Sequence, residues 1–178
     1  MARNDVSQRH HVAWPTLGWL LKHPVSLMAF GFGVGLIRPG SGTWGTVLAL
    51  LLWWPLQHWI AAPALGVLLV VLAILGIWIC EHAGKAVGVA DHVGIVWDEI
   101  VAMWLLLWVL PSNIWVVAVA FVLFRIFDTT KPAPIAWLDE HFKGGLGVML
   151  DDWIAALYAG IPIAVWWYFL WPAWQGAA

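Results

Sequence analysis

Long apolar blocks separated by short polar turns run through this chain, and the blocks set its elements. A bilayer core of about 30 Å needs roughly 20 residues of helix. Residues 59–79 are free of charge and meet that length. Residues 153–171 do the same, with Pro172 and Trp174 reading as an interfacial end, and no charged residue follows Trp153. Residues 94–110 and 114–127 are shorter, and Pro111-Ser112-Asn113 between them is turn chemistry, so the two predict a helical hairpin. A single kinked helix is disfavoured because Pro-Ser-Asn suits a helix interior poorly. Residues 42–56 predict a short span ending at Pro55. Residues 26–37 are glycine-rich and too short to cross alone. They predict a re-entrant or interfacial segment whose backbone must find partners within the protein.

The expected fold is all-α: a polytopic membrane bundle of about four or five membrane helices. It forms a single domain over residues 1–178, with residues 1–25 as a polar N-terminal segment. Residues 17–21 are too short for the apolar core of a cleavable signal, so none is expected.

Composition narrows the classes further. The chain is 63% hydrophobic and 10% charged, with 17 tryptophans, against about 25% charged for an ordinary soluble domain. Disorder is excluded by this hydrophobicity. A formal net charge of −2 leaves no basic field for nucleic acid. The single cysteine, Cys80, excludes an intramolecular disulfide and a cysteine-rich zinc site, and reads as a small apolar residue.

The placement of charge says more than its amount. Arg3, Arg9 and Lys22 put the N-terminus in the cytoplasm by the positive-inside rule. Five crossings then leave 55–58, 111–113 and 172–178 outside, and none of these turns contains Lys, Arg, Asp or Glu. All eight basic and ten acidic residues fall on the cytoplasmic side or at its boundary. An ion or proton pathway leaves ionisable groups at membrane depth. Their expected absence there speaks against a transporter or channel and gathers the polar chemistry at headgroup level.

Three acidic clusters stand at expected helix ends: Asp98-Glu99, Arg125 with Asp128 and then Lys131, and Asp151-Asp152 after Gly144-Gly145-Leu146-Gly147. A hairpin returns its ends to one face, and a short loop over 129–150 is expected to bring the third cluster to them. Crowded carboxylates repel unless a cation lies among them. Mg2+ accepts carboxylates, waters and a substrate phosphate. Arg125 and Lys131 suit phosphate oxygens, and Arg125 and Asp128 share a helix face. The local alternative is that each acidic pair is a helix-terminal charge favoured by the macrodipole, with Arg125–Asp128 a local ion pair. Neighbouring carboxylates diverge by about 100° on a helix, so one of each pair is expected to face a metal while the other orients ligands or pairs with a base.

The loop Arg38-Pro39-Gly40-Ser41-Gly42-Thr43-Trp44-Gly45-Thr46 leads into an apolar helix. Its backbone N–H groups, with Thr43 or Thr46, could receive an anion, although a tight turn is the simpler reading and no Walker sequence follows. His10, His11 and His23 lack metal-ligand spacing, and His82, His92 and His141 read as interfacial, solvated or hydrogen-bonded histidines. The tryptophans read as bilayer-interface anchors.

Taken in order, these blocks resemble the phosphatidylglycerophosphatase A family of bacterial membrane lipid phosphatases. The likeness covers Gly33-Val34-Gly35-Leu36, Gly42-Thr43-Trp44-Gly45-Thr46, Asp91-His92, Ile95-Val96-Trp97-Asp98-Glu99 and Met103-Trp104. It continues through Phe124-Arg125-Ile126-Phe127-Asp128, Lys131-Pro132, Pro134-Ile135 and Gly144 to Asp152. Ser41 and Ala102 depart from the pattern, where proline and glycine are common. The resemblance implies Mg2+-dependent hydrolysis of the terminal phosphomonoester of phosphatidylglycerophosphate, at the cytoplasmic face of the bacterial inner membrane. In that expectation Asp98, Glu99, Asp128, Asp151 and Asp152 hold Mg2+, with Asp98, Asp128 and Asp151 catalytic. Arg125 and Lys131 bind phosphate and stabilise charge in the transition state, and Arg38, Thr43 and Thr46 add substrate contacts. The attacking group is left open between metal-activated water and an Asp carboxylate. A non-catalytic scaffold docking a basic partner is the rival class. The Asp-Gly-x-x-Ala-Arg block of CDP-alcohol transferases and the Pro-Ser-Gly-His block of vanadate-sensitive lipid phosphatases are both absent.

Overall fold

A computed structural model describes residues 14–172, the side chains of Asp139 and Glu140 excepted. The expectations for Arg3, Arg9, His10, His11, Trp174 and the rest of 173–178 lie outside the described residues. Among the described residues every regular element is helical: α1 (Leu17–Leu20), α2 (Pro24–Ala29), a 3-10 segment (Gly31–Leu36), α3 (Ser41–Trp59) and α4 (Ala62–Val87). These are followed by α5 (Trp97–Val109), α6 (Ile114–Thr130), α7 (Ile135–His141), α8 (Gly144–Val165) and a π segment (Trp166–Leu170) that continues α8.

The expected hairpin is α5 and α6. Asn113 caps α6, its Oδ1 accepting from the backbone N–H groups of Trp115 (2.9 Å) and Val116 (3.4 Å). Other boundaries differ from expectation. α3 runs through Pro55 to Trp59. Proline's fixed φ suits a helix, and near the helix end it forfeits one backbone bond. α4 extends past residue 79 to Val87 and stops at Gly88 in the left-handed conformation (φ 80°), a common helix terminus. The stretch 129–150 is no simple loop: it holds α7, and α8 already begins at Gly144. Asp151 and Asp152 therefore lie two turns inside a helix, where the macrodipole argument no longer accounts for them.

α8 is the central helix, packed against α4, α5, α6 and α7, while α3 packs on α5. Their shared core includes Leu69, Met103, Leu106, Leu107, Phe124 and Ala159. Trp104 Nε1 donates to Ala49 O (2.9 Å), tying α5 to α3. Residues 26–37 are covered as their backbone requires: Val96 N donates to Ala29 O (2.9 Å), Phe30 is buried, and α2 packs on α4.

The helices run between two unlike ends. At one, Ser112 Oγ donates to Gln57 Oε1 (2.9 Å), Trp108 Nε1 to Ala62 O (3.1 Å) and Tyr168 OH to Val109 O (3.3 Å). No charged residue occurs in 44–80, 100–124 or 153–172, so among the described residues that end and the bundle's middle carry none. Outward faces are apolar, with Val67, Val70, Ile74 and Trp78 on α4 and Leu157 and Ile161 on α8 exposed. Patches of this extent suit contact with lipid rather than water. Among the described residues two helices, Ala62–Val87 (mean hydropathy 2.7) and Gly144–Leu170 (1.6), are long and apolar enough to cross a membrane. These features are those of a membrane-associated helical protein.

Candidate active site

The charged end holds a chamber of about 530 Å³. Its floor is formed by the first turn of α5 (Asp98, Glu99), the last turns of α6 (Arg125, Asp128), Lys131 just after them, and α8 (Asp151, Asp152). Arg38 to Gly42, Trp14 and Asp91 complete the wall. The three expected clusters thus meet, from segments far apart in sequence.

Close packing sets the geometry. Gly42 faces Glu99 so nearly that a β-carbon at residue 42 would overlap the carboxylate, and one at Gly45 would lie 2.6 Å from Val96 Cβ. Small residues of this spacing admit a neighbouring helix to backbone contact. Seated there, Glu99 Oε1 accepts from Arg125 Nη1 at 2.9 Å, and the same nitrogen lies 2.9 Å from Asp128 Oδ2. Thr46 Oγ1 donates to Gly42 O (2.9 Å) and lies 3.5 Å from Arg125 Nη1. Lys131 pairs with Asp151. Lys131 ends α6 with φ 42°, a left-handed backbone where glycine is the usual occupant.

Within each acidic pair one residue meets a base, Glu99 with Arg125 and Asp151 with Lys131. Both residues of each pair are nonetheless buried: α5 is enclosed on every face over 97–104, and Asp151 and Asp152 lie on the part of α8 packed against its neighbours. Asp98 Oδ1, Glu99 Oε2 and Asp152 Oδ2 are buried carboxylate oxygens without a hydrogen-bond partner among the described residues. Asp152 lies within electrostatic reach of Asp128, Asp98, Asp151 and Glu99. Buried carboxylate oxygens without partners are costly, and a hard divalent cation is one group that would satisfy them. Among the described residues no three His, Cys, Asp or Glu side chains are already gathered as ligands of one ion. Mg2+ does not require three, since one or two carboxylates with waters and substrate phosphate are its usual set. The donor set fits Mg2+ on these terms.

The substrate candidates of the glycine loop separate. Arg38 lines the chamber and lies over Trp14, its Cζ 3.7 Å from the ring centroid. Thr46 is buried behind Arg125, and Thr43 is exposed and outside the chamber lining. The loop's backbone is held by Ser41, whose Oγ donates to Val93 O.

Asp91, Trp14 and Ser41 are not among the candidate site residues of the sequence, and all line the chamber. Asp91 and Ser41 stand within its motif blocks, and Trp14 in none. His92 itself is fully buried rather than solvated, between Trp14 and Phe30, and its Nδ1 accepts from Gly94 N (3.0 Å). Burial, then the nearby Arg38 charge, lowers its imidazole below the ordinary histidine range. Glu81 likewise belongs to no sequence motif. Its Oε2 accepts from Gly145 N (2.7 Å), fixing the first turn of the helix that bears Asp151 and Asp152.

The family profile described as Phosphatidylglycerophosphatase A matches residues 27–167. A Haemophilus influenzae protein named phosphatidylglycerophosphatase A is 40% identical over 144 residues, covering 80% of this chain and 88% of that protein. An Escherichia coli protein of the same name is 40% identical over 148 residues, 79% of this chain and 83% of that one. A Bacteroides thetaiotaomicron protein named putative phosphatidylinositol-3-phosphatase is 39% identical over 146 residues, 78% of this chain and 91% of that one. No solved structure matches the chain.

Proposed function

This chain belongs to the phosphatidylglycerophosphatase A family, and from that membership and its chamber we propose that it is a Mg2+-dependent lipid phosphatase. Its substrate is phosphatidylglycerophosphate and its products are phosphatidylglycerol and inorganic phosphate, in phosphatidylglycerol synthesis. The bundle crosses the bacterial inner membrane several times with the chamber at the cytoplasmic face, and residues 26–37 form a re-entrant or interfacial segment on that side. The observation that carries this reading is the chamber itself. Paired cations and unsatisfied carboxylate oxygens share one cavity at the end of a bundle whose sides are apolar.

Asp98 and Asp152, with Glu99 Oε2, are the groups with oxygens to offer Mg2+, and Asp128 and Asp151 stand beside them. Bound there, Mg2+ would neutralise phosphate charge and act as a Lewis acid on a phosphoryl oxygen. Arg125 is fixed by Glu99 and Asp128, so its remaining N–H groups meet a phosphate without reorganisation. Lys131, aimed by its left-handed backbone, supplies a second positive charge against the phosphoryl group as charge builds in the transition state. Hydrolysis breaks the bond between phosphorus and the headgroup oxygen, water supplies the new oxygen on phosphorus, and the released alkoxide takes a proton.

The relatives carry two headgroup names at nearly equal identity, so identity alone does not choose between them. A headgroup series does. Purified protein is incubated with phosphatidylglycerophosphate, phosphatidylinositol 3-phosphate, phosphatidic acid and glycerol 3-phosphate, with and without Mg2+. Phosphate release from the first, abolished by EDTA and restored by Mg2+, is expected. No release from any lipid, or release indifferent to EDTA, would count against the proposal.

A further inference from the structure

Among the described residues three cationic side chains line the chamber, and they are not equivalent. Arg125 is shared between Glu99 and Asp128, and Lys131 is paired with Asp151. Both are largely enclosed, with side-chain exposures of 15% and 24%. Arg38 differs in both respects. It is an exposed residue, so it marks the rim, and no carboxylate among the described residues forms an ion pair with it. Its guanidinium lies over the Trp14 ring instead, with Cζ 3.7 Å from the centroid. An aromatic platform restrains the guanidinium plane while leaving its N–H edge free to donate. The loop beneath is pinned by Ser41 to Val93 O. The chamber thus has two anion-receiving levels, a buried floor with compensated cations and a rim whose arginine has no carboxylate partner among the described residues.

A lipid that presents its terminal phosphomonoester to the floor trails the rest of its headgroup across the rim. If the headgroup is joined to the diacylglycerol through a phosphodiester, a second, permanently single-charged phosphate passes there. Phosphatidic acid has no such group, because its one phosphate is the terminal one. We propose that Arg38, held on Trp14, binds the internal phosphodiester of the substrate and so selects lipids bearing two phosphates over phosphatidic acid. This rests on the phosphatase reading above and assigns Arg38 to specificity, apart from the groups at the reacting phosphorus.

The test compares the full chain with Arg38→Gln and Trp14→Leu in mixed micelles containing Mg2+, measuring kcat/KM for phosphatidylglycerophosphate and for phosphatidic acid. A hydrogen bond to a charged group contributes about 1.5–3 kcal/mol, so Arg38→Gln is expected to lower kcat/KM for the two-phosphate lipid roughly 10- to 100-fold. Phosphatidic acid turnover should change by no more than about twofold, within the ordinary effect of a surface substitution. Trp14→Leu should shift the ratio the same way by less. Equal losses on both lipids, or no loss on either, would overturn the assignment. Binding of short-chain phosphatidylglycerol, which keeps the phosphodiester and lacks the phosphomonoester, is measured alongside by calorimetry. The wild type should bind it more tightly than Arg38→Gln, and equal affinities would also overturn the assignment. If the wild type releases phosphate from no lipid, the phosphatase reading falls, and the binding comparison still decides whether Arg38 receives a phosphodiester.

Discussion

Gly42 and Glu99 approach so closely that no side-chain carbon fits between the α3 backbone and the carboxylate. That contact sets where Glu99 sits, and Glu99 in turn holds Arg125 at 2.9 Å. A glycine whose simplest sequence reading is a tight turn thus also makes room for an acid.

Gly42→Ala should accordingly damage the site from a distance. Overpacking of this kind costs about 1–3 kcal/mol, and a displacement of about 1 Å in a positioning group lowers turnover on the order of 100-fold. Thermal unfolding in detergent and phosphate release from phosphatidylglycerophosphate would measure the two effects. Wild-type turnover in Gly42→Ala would show that the Glu99–Arg125 placement is immaterial.

Lys131 offers a separation of stability from activity. Its backbone is left-handed, and glycine takes that conformation without the steric penalty a β-carbon brings. Lys131→Gly is expected to leave the unfolding temperature unchanged or raise it, while phosphate release falls by more than about tenfold through loss of the ammonium. A variant that melts early and retains its specific activity would contradict this.

Removal and return of Mg2+ should be visible in stability as well as in turnover. A ligand at 100 times its dissociation constant stabilises the folded state by about 2.7 kcal/mol. Mg2+ is therefore expected to raise the unfolding temperature of the EDTA-treated wild type. In Asp98→Asn and Asp152→Asn the metal-free protein should be at least as stable, because carboxylate repulsion is relieved, and the response to Mg2+ should shrink or vanish. An undiminished response in both variants would remove these residues from the cation site.

His92 makes a pH-dependent contribution with a definite sign. Its folded-state pKa is lowered from 6.5 by burial and then by Arg38. The unfolded chain therefore takes up a proton more readily, and the stability from neutral His92 is present above about pH 6.5 and diminishes as pH falls through the lowered value. His92→Asn can still accept from Gly94 N but does not titrate. The difference in unfolding temperature between wild type and His92→Asn should be largest near neutrality and move against the wild type toward about pH 5. A pH-independent difference would show that His92 does not couple to folding.

Some of this was legible from local sequence. The hairpin with its turn at Pro111 to Asn113 required only turn chemistry and a capping asparagine, and it forms as expected. The meeting of Asp98, Arg125, Asp128 and Asp151 followed from hairpin geometry and the one-sided charge distribution. What local reasoning mislaid were boundaries inside apolar runs. α3 continues past Pro55, and α8 starts at Gly144, because packing against neighbours compensates for proline and glycine there. Glu81 is not legible in the sequence because an exposed i,i+4 pair with Lys85 looks like ordinary surface charge until the fold places the Gly145 amide beside it.

The sequence by itself determined the helical class, the apolar flanks and the gathering of the described residues' charge toward one end. Those properties accumulate residue by residue, from hydropathy and the spacing of turns. Only the tertiary structure decided which carboxylate faces a base and which keeps an oxygen unsatisfied, and that Arg38 rests on Trp14 rather than on an acid. Such pairings depend on the rotation and depth of helices relative to one another. Contacts between residues distant in the chain fix that rotation, and at Gly42 it turns on the absence of one carbon atom.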